Sequence, residues 1–339
     1  IITVNPQSGK YGDTITLIGN GYGSGTTVQI DFGTKQTITT TTSTLNGTFS
    51  CTFLVNTQLG NTRIITATDL GTPTLLYATS TFNVSGKIAR VFPASGKIGS
   101  TVTIEGWGYD GTITVHFGIT QTITTYIENQ ATFSVTFTVD SHPYGSKIIT
   151  AKDIDTTGQQ SSDTSVFIVA GRITLVSPPS GVVGSVVTVM GDGYGTTGTT
   201  IRIDFGTTQT ITTTLVDNDN GTFSITFIVS TQAYDTRVIT AYGPYSNYDT
   251  GIFYIRPKIT LISPESGVVG ASVTVEGVGY GGTTWCRIGF GTCEYVKLYP
   301  TPNNQKQTSG NGTFSQYFYV NTQPGGTTIV SLYHQGVFS

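Results

Sequence analysis

The sequence predicts an all-β protein of four tandem sandwich domains in a semi-rigid rod, and three observations carry that expectation. Apolar residues alternate with Thr or other polar residues in short runs, the pattern of strands with one face buried. No stretch shows the spacing of an amphipathic helix, and a chain of 339 residues with 43 Gly and about a fifth Thr is poor helix material. One block is also written four times. Its copies open on Val4-Asn5-Pro6-Gln7-Ser8-Gly9, Val91-Phe92-Pro93-Ala94-Ser95-Gly96, Ser177-Pro178-Pro179-Ser180-Gly181 and Ser263-Pro264-Glu265-Ser266-Gly267. From Pro6 to Pro93, Pro178 and Pro264 the steps are 87, 85 and 86 residues, too long for a solenoid repeat and long enough for each copy to enclose a core. The domains therefore run 1–86, 87–171, 172–257 and 258–339.

Within the first copy the alternation marks strands at 14–17, 28–32, 49–55 and 62–66. Ahead of the first, Ser-Gly followed by a second glycine (Gly9 and Gly12, Gly96 and Gly99, Gly181 and Gly184, Gly267 and Gly270) reads as a loop using positive φ. Next comes Gly-x-Gly-Tyr, ending on Tyr22, Tyr109, Tyr194 and Tyr280. A dinucleotide fingerprint needs a third glycine opening a helix, and here a strand follows. The motif reads instead as a close-packed turn with the tyrosine ring over the domain end. Asn-Gly-Thr-Phe-Ser recurs at 46–50, 220–224 and 311–315, and Asn-Gly between alternating runs predicts a type I′ hairpin. The second copy has lost it. About seven strands in a block of this size fit an immunoglobulin-like sandwich better than a closed barrel.

The run Pro-x-Ser-Gly-x-x-Gly-x-x-Val-Thr-Val-x-Gly-x-Gly-Tyr, followed by Phe-Gly (Phe32-Gly33, Phe117-Gly118, Phe205-Gly206, Phe290-Gly291), resembles the IPT/TIG-type immunoglobulin-like repeats of prokaryotic cell-surface proteins. The downstream Ile-Thr-Ala (65–67, 149–151, 239–241) is similar to repeats of large bacterial and archaeal surface proteins. The resemblance implies a fold and an extracellular setting and carries over no catalytic residue. The fourth copy lacks Ile-Thr-Ala and gains a longer loop through 300–306.

Joints such as Val84-Ser85-Gly86-Lys87-Ile88 leave two or three residues between domains, so neighbours should touch and bending should be limited. Each domain would add roughly 35–40 Å. Lys87, Arg172, Arg256 and Lys258 stand at the joints, where calcium held between domains would need carboxylates.

Charged residues are 10% of the chain, against about 25% in an ordinary globular protein. With a net charge of -3 and no basic stripe, nucleic acid is excluded as a partner. No apolar run approaches the ~20 residues of a membrane span. His116, His142 and His334 are isolated in sequence, and 217–221 lacks the ligands of a calcium loop, so the expectation is no enzyme, no metal and no cofactor.

Four features remain as candidates. Asn46, Asn83, Asn220 and Asn311 each open an N-glycosylation sequon. Cys286 and Cys293 flank a six-residue segment; either they meet across a hairpin as a disulfide, or they are unpaired thiols in neighbouring strands. Tyr317 and Tyr319 share one face of a strand where the first copy has Thr52 and Leu54, which suits subunit contact, sugar stacking or local cross-strand packing. The fourth copy ends Val337-Phe338-Ser339, and its last strand reads as about two residues shorter than those ending Phe82-Asn83-Val84, Phe167-Ile168-Val169 and Phe253-Tyr254-Ile255. Either this is a plain boundary, or a partner completes the edge by strand addition with Phe338 at the contact.

These features point first to a structural subunit of an extracellular surface assembly, a pilus-like filament or S-layer lattice made with other copies of itself. The alternative is an adhesin stalk or carbohydrate-binding module meeting surface glycans. A third reading is the accessory region of a larger secreted enzyme.

Overall fold

A computed structural model describes residues 1–71, 73, 76–118, 121–127, 131–154, 160–299 and 305–334, with the side chains of 126, 127 and 154 left aside. Its regular elements are all strands. The chain divides into two compact units, Ile1–Asp140 with Gly145–Val169, and Ser141–Tyr144 with Ala170–Ser339. Each unit holds two separate hydrophobic cores.

The first repeat shows the plan. Its strands are β1 (Ile2–Asn5), β2 (Ser8–Lys10), β3 (Thr14–Asn20), β4 (Thr27–Phe32), β5 (Lys35–Thr42), β6 (Thr48–Leu54), β7 (Asn61–Asp69) and β8 (Leu76–Ser85). One sheet runs β1-β3-β6 and the other β2-β8-β7-β4-β5. Alternation sends Ile15, Leu17, Val28, Ile30, Phe32 and Ile65 into the space between them, each fully buried. Each such side chain contributes about 1.5–3 kcal/mol by leaving water. The second and third repeats reproduce both sheets in the same order. The protein is an all-β sandwich protein, as the alternation predicts.

Two turn readings need correction. Ser8-Gly9-Lys10 is a strand, pairing in parallel with Asn83-Val84-Ser85. The first strand thus crosses between sheets, β1 pairing with β3 and β2 with β8, on either side of a cis Asn5-Pro6 bond. A three-residue strand holding a glycine and a lysine gives no alternation to read. Asn46-Gly47 is also no hairpin, because β5 and β6 belong to opposite sheets. Only Gly47 of the pair has positive φ, and its amide donates to the Thr44 carbonyl. The true hairpin is one step earlier, where Phe32 faces Lys35 across a two-residue loop led by Gly33.

What Asn-Gly does instead is receive the other motif. The Tyr22 amide donates to the Gly47 carbonyl at 3.0 Å, Tyr194 to Gly221 at 3.0 Å and Tyr280 to Gly312 at 3.0 Å. A Cβ on Gly47 would collide with the Tyr22 carbonyl, so the glycine is required by both the approach and its φ of 70°. The tyrosine rings are buried, meeting Phe49 at 4.9 Å, Phe133 at 5.2 Å and Phe223 at 5.0 Å edge-on. Two motifs far apart in sequence therefore close one end of the sandwich together.

Within each unit the two repeats touch. In the first unit Lys10 Nζ lies 2.5 Å from Asp163 Oδ1, Lys87 Nζ donates to the Tyr11 carbonyl at 2.9 Å, and Tyr11 packs on Trp107 at 4.2 Å. In the second, the Tyr234 amide donates to the Tyr280 carbonyl at 2.8 Å and its ring meets His334 at 5.0 Å. Burial holds the His334 imidazole below its ordinary pKa.

Candidate assembly site on the fourth repeat

In repeats one to three the last strand fills the space between two neighbours. It carries Phe82 and Val84, Phe167 and Val169, or Phe253 and Ile255 into the core, all at most 2% exposed. Each phenyl packs on the aromatic ring that precedes the hairpin glycine: Phe82 on Phe32 at 5.7 Å, Phe167 on Phe117 at 5.7 Å, Phe253 on Phe205 at 5.9 Å.

The fourth repeat is built differently. Among the described residues its second sheet has three strands, Lys306–Gln307, Trp285–Phe290 and Val330–His334, where the others have five. Phe290 faces Val330 as Phe32 faces Ile65, so Val330–His334 is the counterpart of β7, while Val337-Phe338-Ser339, the expected short last strand, lies outside the described residues. Val330-Ser331-Leu332 accordingly stands in the place of Ile-Thr-Ala, which the sequence reading took as lost. Beside it opens a cleft of about 800 Å³, lined by Ile262, Gly267, Val273, Phe290, Val320 and Val330 among others. Phe290 is half-buried there, whereas Phe32, Phe117 and Phe205 are fully buried. Val269 in its lining is 57% exposed, and Val268 and Ile329, each next in sequence to lining residues, are 78% and 76% exposed.

The opposite sheet has gained a strand. Leu298–Tyr299 pairs with Phe314–Tyr319, making four strands where the other repeats have three. The Gln316 amide donates to the Tyr299 carbonyl from a position held by Cys51, Val135 or Ile225 elsewhere. Tyr317 and Tyr319 lie on the outer face with Tyr299: the rings of Tyr299 and Tyr317 stack at 5.9 Å, and Tyr319 meets Tyr299 edge-on at 4.7 Å. Lys297 Nζ sits 5.2 Å from the Tyr299 ring centre. The tyrosine pair seen in the sequence is thus a triad with a cation beside it. The sequence does not group Tyr299 with them because its own strand, Leu298–Tyr299, has only two residues.

Cys286 and Cys293 are both free thiols. The disulfide is not formed because the turn is tighter than the spacing suggests: Phe290, not Cys286, bridges to Cys293. Cys286 points into the core opposite Lys306 and His334, where burial pushes its thiol up to about 12. Cys293 is half-buried and its Sγ donates to the Tyr295 carbonyl at 3.4 Å.

Asn46, Asn220 and Asn311 are exposed at the corner turns, and Asn83 is exposed on β8 with its amide donating to the Gln7 carbonyl at 2.9 Å. Phe338 lies outside the described residues, as do 300–304 of the longer loop. Among the described residues no three His, Cys, Asp or Glu side chains gather as a metal site.

No family model matches the chain, so the finer likeness to IPT/TIG repeats rests on its residues alone. No curated protein matches it either. Among solved structures it is similar to a tetra-tandem repeat from the extending region of a large adhesion protein, at 12% identity over 98% of both chains and a TM-score of 0.27. It is also similar to a calcium-stabilised adhesin with which an Antarctic bacterium reaches out and binds ice, at 15% identity over 98% of this chain and 97% of that one, with a TM-score of 0.21.

Proposed function

We propose that this chain is a structural subunit of an extracellular surface assembly, a filament or lattice whose copies join by strand addition at the fourth repeat. The open cleft is the observation that supports it: an apolar core left uncovered along one strand edge invites another chain. The sparsely charged, hydroxyl-rich surface suits close packing of copies without charge repulsion. Electron microscopy of the native source tests the reading. Fibres or sheets built from this chain are expected; single particles at native concentration would refute it.

A second reading, an adhesin stalk or carbohydrate-binding module, draws on the Tyr299, Tyr317 and Tyr319 face, where flat rings beside hydroxyls suit sugar stacking. Tyr317→Thr with Tyr319→Leu restores the residues of the first repeat. Loss of glycan-array binding in that variant, with assembly unchanged, would favour this second reading.

A further inference from the structure

We infer that the cleft of the fourth repeat receives an extended strand from a neighbouring chain, one that carries an aromatic ring and, two residues further on, a branched aliphatic side chain. The strand's source rests on the assembly reading above; its chemistry rests on the three sister repeats.

Gly267 is the most telling residue. At its counterparts a Cβ would stand 3.2 Å from a phenyl Cζ: Gly9 against Phe82, Gly96 against Phe167, Gly181 against Phe253. The glycine makes room for that ring. Gly267 keeps the room, yet a Cβ there would meet only the Ala271 side chain, at 3.0 Å. The space is ring-shaped on its other side too, since among the described residues Phe290 has Phe318 at 5.1 Å as its ring neighbour, where each counterpart also holds the phenyl of a last strand.

The backbone around the cleft agrees. In the first repeat, 61–64 form strand by pairing with β8 and not with β4. The matching residues 326–329 are irregular, and so are 266–268, the counterpart of β2. Both segments have lost strand structure at the positions that only a last strand would pair. That strand also donates an amide to a fixed carbonyl: Asn83 to Gln7, Ile168 to Ala94 and Tyr254 to Pro179. Glu265 holds the same place in the fourth repeat. In the sister repeats the ring lies fourteen to eighteen residues past the counterpart of Val330, as Phe253, Phe82 and Phe167 lie past Ile239, Ile65 and Ile149. The sisters name its setting: Phe-Asn-Val, Phe-Ile-Val and Phe-Tyr-Ile.

The test uses the chain 1–339 and a fluorescent peptide copying Asp249–Arg256. Saturable binding is expected, with hydrogen-exchange protection appearing at 266–268 and 326–330, and a peptide bearing Phe253→Ser should bind at least tenfold more weakly. Equal binding of the two peptides, or none, overturns the inference. Gly267→Leu fills the ring's place at a position without positive φ and should weaken binding at least tenfold; a folded variant that binds normally also overturns it, and the peptide pair decides alone if the variant does not fold. For the source, a photo-crosslinking residue at Ile329 in the native assembly should yield a product of two-chain mass on a denaturing gel. An internally linked single chain would show that the strand follows Ser339 in the same polypeptide, and would overturn the neighbour. Ring-dependent peptide binding with only single particles in microscopy would sink the assembly reading alone.

Discussion

Replacing the ring ahead of the hairpin glycine should cost the third and fourth repeats very different amounts. Phe205 is fully buried, with Phe227 at 5.1 Å and Phe253 at 5.9 Å, so Phe205→Ala leaves a closed cavity and should cost about 3–5 kcal/mol. Its counterpart Phe290 is half-buried beside an open cleft, with Phe318 as its ring partner. Phe290→Ala removes partial burial and creates no sealed void, so about 1–2 kcal/mol is expected. Each 1.4 kcal/mol is about a tenfold change in an opening equilibrium. Hydrogen exchange read by mass spectrometry resolves the repeats within the intact chain. Exchange across Asp235–Tyr242 should accelerate about a hundredfold or more in Phe205→Ala, and across Ser272–Val278 about tenfold in Phe290→Ala. Equal acceleration would mean that the fourth core is as complete as the third, and the reasoning about the cleft would fail.

Three further outcomes follow from the geometry. Gly47→Ala places a side chain at positive φ against the Tyr22 carbonyl and should destabilise the first repeat by about 1–3 kcal/mol, read as faster exchange in β3 and β6 with the other repeats unchanged. In the folded chain Cys293 should alkylate well before Cys286. The Cys286 pKa is raised to about 12 from 9.0 by burial, so its contribution to stability is whole below pH 9 and is lost as pH rises toward about 12; a melting temperature for the fourth repeat that is flat over that window would contradict this. At the joint of the first unit, Asp163→Asn removes the ion pair with the partly exposed Lys10, worth at most about 1 kcal/mol. Asp163→Ala also orphans the Ile88 amide, bonded to Asp163 at 2.8 Å, and should cost about 1–3 kcal/mol, visible as exchange at 87–92.

Strands with a clean period of two, such as β3, β4 and β6, were legible because each buries one face. The parallel β2 was not, since its place is fixed by β8 some seventy residues away. Asn-Gly was read by its commonest local geometry, yet the tertiary contact with Tyr22 decided the turn. Gln58 was overlooked although Gln recurs at 232 and 323: a loop glutamine looks solvated, but Gln58 is 3% exposed and donates to the Phe32 carbonyl at 3.1 Å, fastening the hairpin loop. The fourth copy was correctly singled out as the one that differs. Why it differs was hidden, because a cleft is defined by what its sister repeats contain, and only register against Val330 shows which strand the described residues lack. The disulfide reading failed for a similar reason, spacing alone giving no turn geometry.

The parallel pairing of β2 with β8 has one more consequence. The segments that edge the cleft match β2 and β7, which in the first repeat accept β8 in parallel and antiparallel pairing, so a strand entering backwards would satisfy neither register. A seam of this kind recognises direction. In the proposed assembly, one-way donation from copy to copy would be heterologous and would propagate with a distinct leading and trailing end, whereas two copies exchanging strands reciprocally would close about a two-fold axis.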